Sequence, residues 1–268
     1  MRVRGGYVES DWGQVHYRIA GTSGPWVALF HESPLSSRVW EQVLTHLGPH
    51  ARVVAFDTPG YGASDQPPSD GHEIPEYAAV LARAASELAM SDVTFGGVHT
   101  GASLAIEAAH VFDRGTAGVV LSGVPLFTDE ERADFIGNWT PDAPYDSQGS
   151  QFDWAIQRYK RIWPEVTADA LHVAVTEVMR VVERYDWGYQ AAFRHDPRQP
   201  LSDLDLPVLL LDAEHDMLAD KDPLAAELAR DVRYVSMRGL PGQPHLRAPA
   251  DYARHLRDFL VELDGEVR

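Results

Sequence analysis

One short segment of the sequence places an imidazole at a predicted sharp turn. Residues 94–105 read Thr-Phe-Gly-Gly-Val-His-Thr-Gly-Ala-Ser-Leu-Ala, which indicates a buried strand that passes through small residues into a helix. Gly97 and Gly101 bracket His99 at two residues on either side. Glycines at these positions allow the close backbone approach that a tight strand-to-helix turn needs, and such a turn exposes its central side chain as a nucleophile. The pattern therefore predicts His99 as a reactive group.

The segments around this turn resemble, in order, the motifs of the α/β-hydrolase fold superfamily, and the resemblance covers nearly the whole chain. Residues 31–34 read His-Glu-Ser-Pro and stand where that family has its His-Gly oxyanion loop. Residues 57–65 are similar to its Asp-x-x-Gly-x-Gly-x-Ser loop, and residues 209–216 resemble the strand and loop that end in its catalytic acid. Residues 239–245 resemble its catalytic-histidine loop. Along the chain, the strand-to-helix turn comes first, the acid second and the histidine third, which is the order found in the family.

The resemblance implies a catalytic set with one atypical member. Asp216 is implied as the acid, and His245 as the histidine that Asp216 orients and stabilises. His99 stands where serine is usual. An unperturbed imidazole has a pKa of about 6.5, and the amino end of the following helix is expected to keep His99 neutral. We expect His99 either to attack an activated carbonyl, forming an acyl-imidazole, or to exchange protons with His245.

Three further residues are implied at the site by the same motifs. The backbone N–H groups of Thr100 and Glu32 are expected to bind an anionic intermediate, and the Glu32 carboxylate either contacts substrate, pairs with Arg38 or is solvated. His31 is expected to make structural hydrogen bonds below the site. The serines at positions 33, 64, 103 and 122 are alternative candidates for the nucleophile. None of them has a glycine two residues before it and another two residues after it, as the tight turn requires.

Apolar runs and helical periodicities alternate along most of the chain, which predicts an α/β fold with a mostly parallel sheet flanked by helices. An opening hairpin is expected over residues 7–20. Buried strands are predicted at 26–30, 52–56, 93–98, 117–121, 207–211 and 232–236, and helices at 39–47, 75–90, 101–112, 223–229 and 249–263.

Between residues 126 and 195 the buried-strand pattern stops. Helical patterns at 151–163 and 167–185 and a capping box at 128–131 replace it. Twelve of the 26 aromatic residues lie in these 70 positions. We expect residues 1–125 and 196–268 to form an α/β-hydrolase core, and residues 126–195 a helical cap over an apolar pocket.

The composition limits the classes of partner. Lys and Arg number 23 against 40 Asp and Glu, a formal net charge of −17, which argues against nucleic acid and anionic membranes. With 0 Cys, disulfides and cysteine nucleophiles are excluded. No signal-peptide core or membrane-length apolar run is evident, so a cytoplasmic location is expected. The expected partner is a small-molecule substrate; no oligomeric state follows.

No cofactor is expected from the motifs. His31, Glu32, His99 and His245 could supply metal ligands in principle, but their spacing matches no metal-binding motif.

Three functions remain open from the sequence. The favoured one is hydrolysis of an ester, lactone or other activated acyl bond of a small apolar or aromatic metabolite, with His99 in place of serine. The second is cofactor-independent lyase, cyclase or isomerase chemistry with His99 and His245 as an acid/base pair. The third is a non-catalytic ligand-binding protein on a retired hydrolase fold, since fold alone does not fix function.

Overall fold

The structure is a computed structural model that describes residues 1–266. One eight-stranded sheet runs through it in the order β1-β2-β4-β3-β5-β6-β7-β8. The strands are β1 Arg4–Ser10, β2 Gly13–Ala20, β3 Trp26–Phe30, β4 Arg52–Phe56, β5 Val93–Val98, β6 Thr116–Ser122, β7 Pro207–Ala213 and β8 Asp231–Met237. β2 pairs antiparallel with β1 and β4, and the remaining neighbours are parallel. The predicted mostly parallel sheet is confirmed.

Helices follow most strands and cover both faces of the sheet. The α-helices are α1 Glu41–Leu47, α2 Ile74–Glu87, α3 Thr100–Val111, α4 Asp129–Asn138, α5 Ser150–Ile162, α6 Ala168–Met179, α7 Trp187–Arg194, α8 Arg198–Asp203, α9 Asp222–Leu228, α10 Pro244–Arg247 and α11 Pro249–Glu266. Short 3₁₀ helices span Ser37–Trp40, Val182–Arg184 and Ala219–Lys221.

Alternation along the central strands divides the core into two layers. In β3, Ala28 and Phe30 pack into one apolar cluster, whereas Val27 and Leu29 pack into the other. Successive side chains of a strand point to opposite faces, so a strand that is covered on both sides is apolar throughout. This arrangement explains why the buried strands could be recognised as continuous apolar runs.

Helices α4 to α7 are inserted between β6 and β7; we refer to residues 126–195 as the insertion. Thr128 caps α4 through the predicted box, in which its hydroxyl accepts from the Glu131 N–H. The helix predicted over 167–185 is shorter: α6 ends at Met179 and a 3₁₀ turn follows. The sequence prediction also missed α7 and α8. Val181 leaves the helical region with φ −134°, which breaks the predicted helix.

None of the helices in residues 1–266 combines the length and the apolar character that crossing a bilayer requires.

Candidate active site

The bend between β5 and α3 presents His99. Its backbone lies at φ 51° and ψ −114°, a left-handed region that is strained for a residue with a side chain. A Cβ on Gly97 would overlap the backbone of Gly101, and a Cβ on Gly101 would overlap the backbone of Phe30. The two glycines therefore allow the strand and helix to approach as closely as the bend demands.

His99 bonds directly to a buried carboxylate. Its Nε2 lies 2.9 Å from Oδ1 of Asp216, in the loop that follows β7. Burial by itself would lower the pKa of His99, but the Asp216 carboxylate, with smaller contributions from Glu32 and Asp212, raises it to about 9. The ring is therefore an imidazolium at neutral pH, and the expectation of a neutral His99 is wrong.

The expectation that Asp216 orients His245 is also wrong, because neither ring nitrogen of His245 has a hydrogen-bond partner among the residues that the structure describes. Oδ1 of Asp216 accepts from His99 and, at 2.9 Å, from the N–H of Leu218. Burial opposes ionisation of Asp216, yet the charge of His99 keeps the pKa of this carboxyl below its ordinary value. An imidazole reaches further than a serine hydroxyl, and Gly123 leaves room for it: a Cβ there would lie 2.5 Å from Cδ2 of His99.

His245 finds its partner in Glu32. Nε2 of His245 lies 3.4 Å from Oε2 of Glu32, within ion-pair distance but outside hydrogen-bond geometry. The His245 ring is fully buried and packs against Trp40, with 4.5 Å between ring centroids. The site thus contains two histidine–carboxylate pairs, His99 with Asp216 and His245 with Glu32.

Glu32 is buried, so the expectation that it is solvated is wrong. Burial would raise the pKa of Glu32, but the nearby His245 outweighs this and lowers it, so the group is a carboxylate. It does not pair with Arg38, whose guanidinium lies 3.3 Å from Glu177. Both Glu32 side-chain oxygens are buried without a hydrogen-bond partner within the described chain.

His31 is held by backbone on both sides of its ring. Nδ1 donates to the carbonyl of Glu32 at 2.9 Å, and Nε2 accepts from the N–H of Thr58 at 3.0 Å. Burial lowers the pKa of His31, which agrees with a neutral ring. Neither nitrogen is free for a substrate. Thr100, by contrast, lies beside His99 on the wall of a cavity.

This cavity is small, about 40 Å³, and partly open. Its walls are Glu32, Ser33, His99, Thr100, Trp139, Tyr159, Ile162, Trp163, Tyr189 and Met217. Half of these residues belong to the insertion. The concentration of aromatic residues in residues 126–195 suggested such a lining, but it did not identify which rings face the site.

Two more carboxyl groups lie near the His99 pair. Burial raises the pKa of Asp212 well above its ordinary value, and Asp212 Oδ1 accepts from the N–H of Gly123 at 2.5 Å. Burial and the charge of Asp216 raise the pKa of Asp222 to about 7. Sequence reasoning missed both, although an aspartate at the end of an apolar strand was a visible signal at position 212. No cluster of three or more metal-ligating side chains occurs among the side chains that the structure describes.

Comparison with known proteins places these features in context. Residues 22–266 match a family model described as "Alpha/beta hydrolase family". A non-heme chloroperoxidase of Streptomyces lividans is 27% identical over 264 residues, covering 87% of this chain and 90% of that protein. Pimeloyl-(acyl-carrier protein) methyl ester esterase of Pectobacterium carotovorum subsp. carotovorum is 25% identical over 214 residues, covering 74% and 78%.

A solved structure, that of E-2-(acetamidomethylene)succinate hydrolase, has a TM-score of 0.81 and 21% identity, covering 97% of this chain and 99% of that one. At this identity the likeness concerns the fold alone.

Proposed function

Because the chain belongs to the alpha/beta hydrolase family, we propose that it hydrolyses an ester, lactone or other activated acyl bond of a small apolar or aromatic metabolite. His99 is the group at the reacting centre, and the insertion serves as a cap. One relative is named an esterase. The observation that carries the proposal is the hydrogen bond of 2.9 Å between His99 and Asp216 at the bend, on the wall of a small cavity.

The charge of His99 favours an acid over a nucleophile. With a pKa of about 9, the ring carries a proton at neutral pH and has no free lone pair for attack on carbon. With Nε2 bonded to Asp216, the proton on Nδ1 remains for the leaving group. A charged donor in a water-poor cavity also stabilises negative charge that develops on the substrate oxygen.

The Glu32–His245 pair supplies the base. The oxygens of Glu32 have no partner in the described chain, and Glu32 borders the same cavity as His99. A water molecule there gives one proton to the Glu32–His245 pair while its oxygen forms a bond to the acyl carbon. The bond from that carbon to the leaving oxygen breaks, and the leaving oxygen takes the proton of His99. Solvent then returns the proton from the pair to His99.

Phenyl esters, alkyl esters and lactones, assayed with and without the His99→Gln substitution, test this proposal. The products should gain one water, and ¹⁸O from labelled water should enter the acid. His99→Gln should reduce kcat at least about 100-fold, since general acid–base groups contribute this much. His46→Gln, an exposed histidine, is the matched control. Hydrolysis that survives His99→Gln unchanged refutes the role of His99.

A second candidate function is proton-transfer chemistry without hydrolysis, as in a lyase, cyclase or isomerase. The carboxylate of Glu32 borders the cavity where the family places its anion-binding loop, and a negative group there opposes an anionic intermediate. Product mass separates the two functions, because an isomerisation leaves the mass unchanged and a hydrolysis adds water.

A further inference from the structure

Arg158 in α5 is a buried cation without an anionic partner. The residue is 3% exposed. Its Nη1 donates to the carbonyl of Trp139 at 3.1 Å, but Nε and Nη2 are buried with no hydrogen-bond partner. None of the ion pairs found among the described side chains, those of residues 1–265, involves Arg158. Buried charges are normally paired, because removing an ion from water is costly.

Aromatic rings surround the guanidinium. The centroids of Trp139, Trp154, Tyr185 and Tyr189 lie 5.5 to 5.9 Å from its central carbon. Cation–π contacts at these distances offset part of the desolvation cost. Arg158 also opposes the rise that burial gives to the pKa of Tyr189, first through its charge and then through side-chain contact with the Tyr189 hydroxyl, to which Trp139 adds a second contact. The cage holds the charge in place, and Nε and Nη2 of Arg158 form no hydrogen bond of regular geometry within it.

The cage adjoins the cavity at His99. Trp139 and Tyr189 belong both to the cage and to the cavity wall. Nε1 of Trp139 and the hydroxyl of Tyr159, another wall residue, are buried without partners as well. Unmet hydrogen-bonding groups of a buried site are ordinarily satisfied by water or a ligand. Here several donors gather on the insertion side, which suits a ligand that brings an acceptor with negative charge.

We propose that Arg158 anchors a substrate carboxylate, so that the substrate is an aromatic or apolar acid whose reacting bond lies at His99. The inference deepens the proposed function, because it concerns the same cavity. At about 40 Å³ the cavity cannot hold such a molecule as it stands. Binding therefore moves the rings of Trp139 and Tyr189 apart and brings the carboxylate to the free Nε and Nη2.

Binding of phenylacetate and of its neutral isostere phenylacetamide tests the anchor without any turnover. Tryptophan fluorescence of the full chain reports on both, since two tryptophans form the cage, and calorimetry gives Kd. The unsubstituted protein should bind phenylacetate at least about tenfold more tightly than the amide, because hydrogen bonds between ions are stronger. Arg158→Met should remove this preference, because it should weaken the binding of phenylacetate much more than that of phenylacetamide. Arg158→Lys should retain part of it.

Lys160→Met is the matched control, since it removes an exposed cation of the same helix and should change neither affinity. Equal affinity of the unsubstituted protein for the two probes overturns the inference even if Arg158→Met does not fold. Phenylacetate binding that survives Arg158→Met also overturns it. The melting temperature of Arg158→Met gives an independent reading: it should hold or rise, because an unpaired buried charge is lost, whereas a merely structural arginine would lower it on removal.

His99→Gln separates this inference from the proposed function. If no ester is hydrolysed but the preference for phenylacetate persists in His99→Gln and vanishes in Arg158→Met, the anchor stands and the hydrolase proposal fails. If neutral and carboxylate-bearing esters are hydrolysed equally, with no effect of Arg158→Met, the anchor fails and the hydrolase proposal stands.

Discussion

An imidazole at position 99 reaches a carboxylate that a hydroxyl on the same backbone could not. Asp216 is then engaged by His99, and His245 is left to Glu32. The two departures from the family motifs, histidine at the elbow and glutamate in the oxyanion loop, therefore fit together. The histidine at position 99 bonds to Asp216, the carboxylate that the family motifs assign to His245. The glutamate at position 32 is the carboxylate that lies beside His245 instead.

The His99–Asp216 pair should make stability depend on pH. The folded pKa of His99 is about 9 against an ordinary 6.5, a difference worth about 3 kcal/mol. Because the folded pKa is raised, this stabilisation is fully present below pH 6.5 and is lost as the pH rises through about 9. Urea unfolding across this range should show the decline in the unsubstituted protein but not in Asp216→Asn.

Asp113→Asn, an exposed aspartate, is the control and should keep the decline. The same decline in Asp216→Asn would mean that another group causes it.

The position of His99 was predictable, and its partner was not. Gly97 and Gly101 mark the bend in the sequence itself. The ring of His99 can bond to Asp216 only because Gly123, in the loop after β6, has no side chain in its way. No local sequence pattern connects Gly123 to position 99. The same holds for Arg158, whose burial among four rings far apart in the chain has no signature in the sequence.

At the scale of elements, the bend is fixed by backbone contacts between neighbours in the sheet. β3 and β5 run parallel, and the start of α3 packs on the end of β3 at Phe30. The central strands were predictable because burial on both faces makes them apolar throughout. In the insertion, the start of α4 was also predictable from its capping box, but the end of α6 was not, because tertiary contacts decide it there.

Gly101→Ala should destabilise the protein by about 3 kcal/mol, the upper range for forcing extra atoms into a packed site. The new Cβ meets rigid backbone of Phe30 and His31, so it cannot be accommodated by a side-chain rotation. Chemical denaturation measures the change. Gly137→Ala is the counterpart: nothing lies within 4 Å of its Cβ, and in α4 it should stabilise by about 0.5 to 1 kcal/mol. Comparable effects of the two substitutions would contradict the packing argument.

The insertion is joined to the core by a buried hydrogen bond. The N–H of Gly188, in the first turn of α7, donates to the hydroxyl of Tyr61 at 2.6 Å. N–H groups in a first turn have no acceptor within their own helix.

Tyr61→Phe leaves this N–H buried and unpaired, which should cost about 1 to 2 kcal/mol. Amide hydrogen exchange in residues 187–194 should become faster, whereas Tyr7→Phe, at an exposed tyrosine, should not change it. Unchanged exchange in Tyr61→Phe would show that the bond does not hold α7 to the core.

At the scale of the whole molecule, membership of the alpha/beta hydrolase family confirms the fold that four ordered motifs predicted. Motif order carries information about topology because each motif follows a particular strand. It carries little about the substrate.

The net charge of −17 should slow the approach of an anionic ligand. Raising the ionic strength from low to physiological shortens the Debye length to about 8 Å. The association rate of phenylacetate, followed by stopped-flow fluorescence, should then rise at least about twofold. The rate for phenylacetamide should stay constant. A fall in the phenylacetate rate would indicate a locally positive entrance.

The pH profile of kcat/KM for an ester with a poor leaving group tests the central claim, that His99 acts as an acid charged by Asp216. Activity should be constant around neutral pH and fall as the pH rises through about 9, the pKa of His99. Burial lowers this pKa, but the charges of Asp216, Glu32 and Asp212 together raise it more. In Asp216→Asn the falling limb should move to lower pH, because the largest charge that raises this pKa is gone. A rate that rises through pH 9, or a falling limb that Asp216→Asn leaves in place, would contradict the account.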